Sequence, residues 1–391
     1  MNQRRVLILG GGFAGLAAAG RAARRGGEKV AVHLVDRRAE SVCAPLLPDL
    51  ISGRVAARHM RYDLAAHCRR RGVTFTRAEV YSIDTARRRV ATSAGEMTGD
   101  AIVICLGCET NYFGRDELVG RTVGLKSVEQ GETIAHAAAE RIDRGSADLL
   151  VVGGGYTGFE AAGHLALLAR RRTGQPPDRL APRVRIRILE KGDAPLGNLP
   201  PPVRRWAWRG LSRRGVEIVC GCTVAQVGDD GSAELTTGER VRDPLIVWTP
   251  GVAPGAAVAG LPADTDARGR LAVNHFLRLR DAEGVFAAGD VAAARPGGSA
   301  PLRMAVQFSL SGGRAAADNA LRWLAGRAPG PFAPPDLGYL VPLGAGGAAG
   351  VVLGRTLMGR LPLGLHYVMC ALRSWGAPNR IGVVSDLLKG P

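Results

Sequence analysis

Apolar residues along the chain cluster in short runs, unbroken at 6–9, 101–104, 149–152 and 285–288 and interrupted only by His33 at 30–35 and by Arg185 and Arg187 at 184–189. Short continuous runs bounded by turn residues read as strands buried on both faces. The runs at 6–9 and 149–152 each end in a glycine cluster and lead into an Ala- and Leu-rich helical stretch. Strand, helix and strand repeated in this way predict doubly wound α/β units with mostly parallel strands. The segment around 233–241 predicts an antiparallel hairpin. Residues 339–354 are apolar but broken by glycines and Pro342, which predicts two strands and a turn. Val203, Trp206, Gly210 and Leu211 recur at helical spacing, so a helix is expected to bury them and point Trp208 outward. Residues 361–375 are nearly all apolar between Arg360 and Arg373 and read as one helix. It either lies in a membrane interface with basic flanks or closes a core or dimer contact. No stretch reaches the ~18 apolar residues of a membrane span.

Two of the glycine clusters share one pattern. The first is Gly10-Gly11-Gly12-Phe13-Ala14-Gly15 and the second Gly153-Gly154-Gly155-Tyr156-Thr157-Gly158. In such a turn the first glycine permits the sharp strand-to-helix bend. The next lets backbone approach a pyrophosphate, and the last lets helix pack on strand. The pyrophosphate then sits on unpaired N–H groups at the positive helix end. An acidic residue closing the second strand binds a ribose diol; Asp36 and Glu190 stand there. The gap from Gly158 to Glu190 exceeds the usual ~20 residues, and the excess is assigned to an exposed loop at 170–182. Two such sites in one chain are the layout for passing a hydride from a nicotinamide to a flavin.

Charge narrows the partners. The formal charge is +17 over 391 residues, and lysine occurs only at 29, 126, 191 and 389. A basic surface attracts anionic dinucleotides and anionic lipid headgroups. No nucleic-acid-binding motif accompanies the charge and aromatics are few, so no nucleic acid partner is expected. Arg4 and Arg5 precede too short an apolar run for a signal peptide, which points to the cytoplasm. Seven cysteines give no disulfide framework. Cys105 and Cys108 end a strand instead of opening a helix, Cys220 and Cys222 lack a second zinc pair, and Cys43 lacks a nearby partner. Inert buried thiols and no metal are expected.

A third signature, Gly289-Asp290, follows the run at 285–288 about 280 residues after the first fingerprint. With the glycine fingerprints, the chain resembles the two-dinucleotide-domain flavoprotein oxidoreductases, and within them the type II NADH dehydrogenases. The matching segments also include 44–47, 106–107, 110–114, 124–127, 247–252 and 269–271, in family order to about residue 325. The resemblance implies that Gly10, Gly12, Phe13, Ala14, Gly15, Asp36, Arg37, Val80, Leu106, Gly107, Gly289 and Asp290 hold FAD. It implies that Gly153, Gly155, Tyr156, Thr157, Gly158, Glu190 and Gly251 hold NADH. Glu160 matches a glutamate near the flavin and nicotinamide rings and is the candidate catalytic residue. A helix beginning near Met304 is expected to direct its positive N-terminus at the flavin.

The implied architecture is an FAD domain at 1–118 and 267–325, with an NADH domain inserted at 119–266. A C-terminal hairpin and apolar helix follow at 326–391. The implied activity takes a hydride from NADH to flavin and passes electrons to a quinone or another small-molecule acceptor. The family's paired glutamines are reduced here to Gln307, out of register, and the C-terminal region is shorter than the family's paired anchoring helices. The alternative is therefore a soluble NAD(P)H-dependent flavoenzyme serving a dedicated substrate, a carrier protein or O2. Peripheral contact with the inner face of the membrane and a homodimer are the two expected uses of the C-terminal helix.

Overall fold

The computed structural model describes residues 3–175, 179, 183–197, 199–298 and 300–389. Part of the loop expected at 170–182 lies outside these. The chain divides into two compact units. The first comprises Met1–Ser41, Tyr62–Glu109 and Val252–Asp336; the second comprises Val42–Arg61, Thr110–Gly251 and Leu337–Pro391.

The first unit is built on five parallel strands in the order Val285–Ala287, Ala101–Ile104, Arg4–Leu9, Val30–Asp36, Thr74–Arg77. Leu7, Leu9, Ile102, Ile104 and Val285 are buried in its core. The central strands are apolar because helices cover the sheet, while the edge strand Thr74–Arg77 is mostly polar. Helix Phe13–Gly26 packs on helix Val306–Leu324, and Arg21 forks onto Asp318 at 2.7–3.0 Å between them. Strands Val80–Asp84, Arg89–Thr92 and Gly95–Thr98 form a small antiparallel sheet.

The second unit repeats the plan with four parallel strands, ordered Val216–Cys220, Val184–Glu190, Ala147–Val152, Leu245–Trp248. The expected hairpin appears as Ala233–Leu235 against Arg240–Val241, extended by Val224–Val227. The C-terminal segment forms an antiparallel sheet of Gly338–Pro342, Ala348–Val352 and Arg355–Gly359. Two helices follow, Arg360–Arg373 and Ala377–Leu388. The second of these was not expected from the apolar pattern.

The division differs from the boundaries read in the sequence, for reasons visible in the packing. Leu118 joins the second core beside Leu150, Val152 and Trp248. Val258 and Leu261 join the first core. Helix Leu47–Ser52 packs on helices Val128–Asp143 and Tyr156–Thr173, which draws residues 42–61 into the second unit. Helix Pro201–Ser212 also departs from expectation. It buries Val203, Ala207 and Leu211, one turn apart, while Trp206 and Trp208 are only half-buried.

Candidate functional site

The two fingerprints fold alike. Gly10 and Gly153 have φ of 100° and 99°, in the region open chiefly to glycine. A Cβ at Gly15 or Gly158 would strike the carbonyl oxygen of Gly10 or Gly153, at 1.7 and 2.0 Å respectively. Each helix therefore closes tightly on its strand. A Cβ at Gly12 or Gly155 would meet nothing within 4 Å, so backbone there faces open space. Helices Phe13–Gly26 and Tyr156–Thr173 carry no side-chain cap and no acidic residue in the first turn. Their first N–H groups are left for an anion, as a pyrophosphate cradle requires.

The acidic residues are held alike as well. Asp36 accepts from Gly11 N–H at 2.5 Å and from Arg38 N–H at 2.7 Å. Glu190 accepts from Gly154 N–H and from Gly192 N–H, both at 2.7 Å. Each carboxylate is thus fixed between its own glycine turn and the residue two positions on. Arg187, near Glu190 in sequence, is turned away: it is buried and paired with Glu239 and Asp148. Tyr156 stacks on Tyr339 with ring centroids 5.8 Å apart, while Thr157 is exposed. Gly251 backs onto Phe113, and the adjoining Pro250 lies against Gly153.

The other candidates for FAD lie in the first unit with Asp36. Gly289, at φ 83°, brings its turn against Ala14 of the first fingerprint helix. Asp290 follows, its carboxylate 3.5 Å from Ser309 Oγ in the first turn of helix Val306–Leu324. That helix starts two residues after Met304, without a side-chain cap or an acidic residue in its first turn. Leu106 and Gly107 follow strand Ala101–Ile104 directly. Arg37 is ion-paired with Glu109 at 2.5 Å and Glu79 at 3.5 Å. Val80 opens its strand and packs against the first core.

Glu160 lies one turn into helix Tyr156–Thr173. Part of its surface stays open, yet burial pushes its carboxyl well above the usual range, and Asp49 adds to the shift. Asp49 anchors a cluster that sequence reading missed. The Tyr367 hydroxyl donates to Asp49 Oδ1 at 2.8 Å. Burial raises the Asp49 carboxyl to about 7, against the donation from Tyr367 and the nearby Arg54 guanidinium. His164, four residues after Glu160, places Nε2 3.6 Å from Asp49 Oδ1 and Nδ1 2.8 Å from Ser52 Oγ. Burial, then Arg54, lowers His164 to about 3, so it is neutral. Arg54 lies 4.9 Å from the Tyr367 ring centroid, and its buried Nε and Nη1 have no hydrogen-bond acceptor among the described residues.

The cluster thus joins three segments of the second unit: helices Leu47–Ser52, Tyr156–Thr173 and Arg360–Arg373. Chemically it is a hydrogen-bonded set able to hold a proton at neutral pH beside Glu160. All seven cysteines are free. Cys43 accepts from Ser374 Oγ at 3.5 Å, and burial pushes its thiol to about 11, so it is a poor nucleophile. Among the described residues no group of three metal-ligating side chains occurs.

A profile of the family described as pyridine nucleotide-disulphide oxidoreductase matches residues 4–320. The chain belongs to that family. It is an oxidoreductase that works with FAD and NADH. The chain is 28% identical to the demethylphylloquinone reductase NdbB of Synechocystis sp., over 91% of this chain and 88% of that one. It is 24% identical to the type II NADH:quinone oxidoreductase of Staphylococcus saprophyticus, covering 92% of each. Its fold matches a structure of NDH2 from Plasmodium falciparum in complex with NADH, with a TM-score of 0.86 at 14% identity, over 99% of this chain and 98% of that one. It also matches the sulfide:quinone oxidoreductase of Aquifex aeolicus, with a TM-score of 0.79 at 16% identity, over 97% and 92%.

Proposed function

We propose that this oxidoreductase transfers electrons from NADH to a quinone at a membrane surface, with FAD held by the first unit and NADH by the second. When bound, FAD supplies the two-electron carrier that accepts a hydride and releases electrons singly or in pairs. Gly10, Gly12, Gly15, Asp36, Gly289 and Asp290 are assigned to FAD. Gly153, Gly155, Gly158 and Glu190 are assigned to NADH. Glu160 is assigned the proton that quinone reduction consumes, with Asp49, His164 and Tyr367 fixing its surroundings.

The observation that carries the quinone reading is the outer face of the C-terminal helices. Helix Arg360–Arg373 turns Leu363, Tyr367, Cys370 and Ala371 inward. It leaves Leu361 79% exposed, with Val368 and Leu372 also in the open. The following helix exposes Ile381, Val384 and, at 82%, Leu388. So much outward apolar surface on two adjoining helices marks an interaction site. Both helices are short and lie beyond a folded sheet, which suits a protein resting on a bilayer. Among the described residues no helix is long and apolar enough to cross one.

The test is NADH-driven reduction of a short-chain menaquinone in vesicles. Replacing Leu361, Val368, Leu372, Ile381, Val384 and Leu388 with serine is expected to abolish vesicle binding and slow quinone reduction. Reduction of the bound flavin by NADH should be retained. Unchanged quinone turnover in that variant rejects the membrane reading. A second reading, a soluble enzyme with its own acceptor, draws on Gln307. Its amide is engaged with Asp336 at 3.2 Å. Faster reoxidation by a carrier protein or O2 than by quinone would favour it.

A further inference from the structure

A cleft of about 560 Å³ in the second unit is lined by Arg170, Arg205, Arg209, Arg213 and Arg214. Its remaining walls are Pro202, Trp206, Gly210, Gly346 and Met358, so no carboxylate among the described residues lines it. None of the five arginines is in an ion pair with a described residue, whereas Arg21, Arg37, Arg185, Arg187 and Arg270 elsewhere all hold acidic partners. Gathering five cations around one concavity costs free energy through like-charge repulsion. Part of this is met by helix ends. Arg170 and Arg209 lie in last turns, where the helix dipole favours cations. That does not account for Arg205, one turn earlier.

The cleft is also shaped by backbone. A side chain at Gly346 would meet the Arg214 guanidinium, so glycine there leaves that guanidinium room in its present position. Arg214 donates to the Gly210 carbonyl, which fixes its direction. Burial, with Arg170 and Arg213 nearby, pulls the Arg214 guanidinium below its ordinary range. A bound anion would offset that repulsion. Trp206 and Met358 add a flat aromatic surface and an apolar rim to the charged wall. Clustered guanidiniums with forked donors match tetrahedral oxyanions.

We propose that this cleft is a binding site for phosphate groups, distinct from the two dinucleotide cradles. The phosphate is either that of an anionic lipid headgroup or that of a small soluble polyphosphate. The inference does not depend on the quinone reading.

The test uses the FAD-loaded full chain and two variants that remove equal charge. Arg170→Gln/Arg213→Gln alters the cleft alone, and Arg24→Gln/Arg268→Gln alters exposed arginines of the first unit. Inorganic pyrophosphate is titrated by calorimetry, and phosphatidylglycerol and phosphatidylcholine vesicles are used in co-sedimentation. Circular dichroism and flavin content check that each variant is folded. The cleft variant is expected to lose roughly thirtyfold in affinity for the phosphate source that binds, at about fivefold per arginine. The control variant should lose little.

Binding of pyrophosphate that depends on the cleft supports the site with a soluble ligand. Cleft-dependent binding of phosphatidylglycerol vesicles alone supports it with a lipid. Equal losses in both variants overturn it, because net charge then explains the binding. Vesicle binding that survives in the cleft variant, with no pyrophosphate binding, overturns the site while leaving the membrane reading intact. Absence of vesicle binding by the native chain, with cleft-dependent pyrophosphate binding, does the reverse.

Discussion

Tyr367 and Asp49 are joined by a 2.8 Å hydrogen bond inside the second unit, where Asp49 is only 2% exposed. The C-terminal helix, expected at either a membrane or a core, has a face suited to each. One face ends in the protein's buried polar cluster and the other is bare apolar surface. Removing the hydroxyl strands a buried carboxyl. Tyr367→Phe is expected to lower stability by about 1–3 kcal/mol, read as a shift of the urea midpoint at constant slope. An unchanged midpoint would show that Asp49 finds another donor.

The same carboxyl sets a pH dependence. Its folded value, about 7, lies above its unfolded value near 3.9. Between those limits the folded chain holds the extra proton, so Asp49 stabilises least at high pH and its contribution falls as pH rises from ~4 to ~7. His164 acts with the opposite sign. Its folded value of about 3 lies below that of the free side chain, so its contribution grows as pH rises to ~6.5. The difference between native and Asp49→Asn stability isolates the first effect. The Asp49→Asn variant should gain on the native chain as pH rises from ~4 to ~7; a flat difference curve rejects the assignment.

Glu160→Gln mimics the protonated carboxyl that burial favours. FAD content and the rate of flavin reduction by NADH are expected to stay near native values. Reoxidation by quinone should slow by tenfold or more, in the ~10²–10⁴ range general acids contribute at most. Stopped-flow measurement of the two half-reactions separates these. Equal rates in both would make Glu160 a bystander.

For FAD, Asp36→Ala and Asp290→Ala each remove a charged hydrogen-bond acceptor, worth roughly 1.5–3 kcal/mol. Purified variants should show a reduced ratio of flavin to protein absorbance. Full occupancy in both would refute the assignment of the first unit to FAD.

Nucleotide preference should rest chiefly on Glu190, with the adjoining Lys191 as the cation left to oppose it. Arg187 is spent on Glu239 and Asp148, so it is not available to a 2′-phosphate. NADH is expected to reduce the flavin well ahead of NADPH at low concentration, and Glu190→Arg should shift the preference toward NADPH. Equal initial rates with both nucleotides in the native chain would contradict this.

The contrast between these sites explains what was legible beforehand. The fingerprints could be read because their constraints fall within one strand–helix–strand unit: Gly10 and Gly15 meet within one turn, and Asp36, closing the next strand, bonds back to Gly11. The strands at 6–9, 101–104, 149–152 and 285–288 could be read from their apolar runs for the same reason. The Asp49 cluster was hidden because its members come from three separated helices, and each alone is an ordinary residue type for its position. Trp206 was misassigned to the core because its spacing fits a helix face; Ala207, one residue on, is the one buried. Helix Ala377–Leu388 was missed because it is short, contains Pro378 and Gly382, and buries only Gly382 and Val383, so no apolar stripe marks it.

Asp49 and Tyr367 are 318 residues apart. At ~5–20 residues per second, translation separates their emergence by roughly 15–60 s. Until Tyr367 emerges the nascent second unit carries an Asp49 carboxyl without that donor, and helix Leu47–Ser52 has only helices Val128–Asp143 and Tyr156–Thr173 to cover it. The buried polar cluster is thus completed only after helix Arg360–Arg373 has been made, and that helix serves as its seal. Nascent chains arrested before residue 360 should be cut readily by a protease within residues 42–61, and full-length chains should resist. A chain that stops short of helix Arg360–Arg373 leaves Asp49 without its tyrosine, so an early segment waits on a late one for its cover.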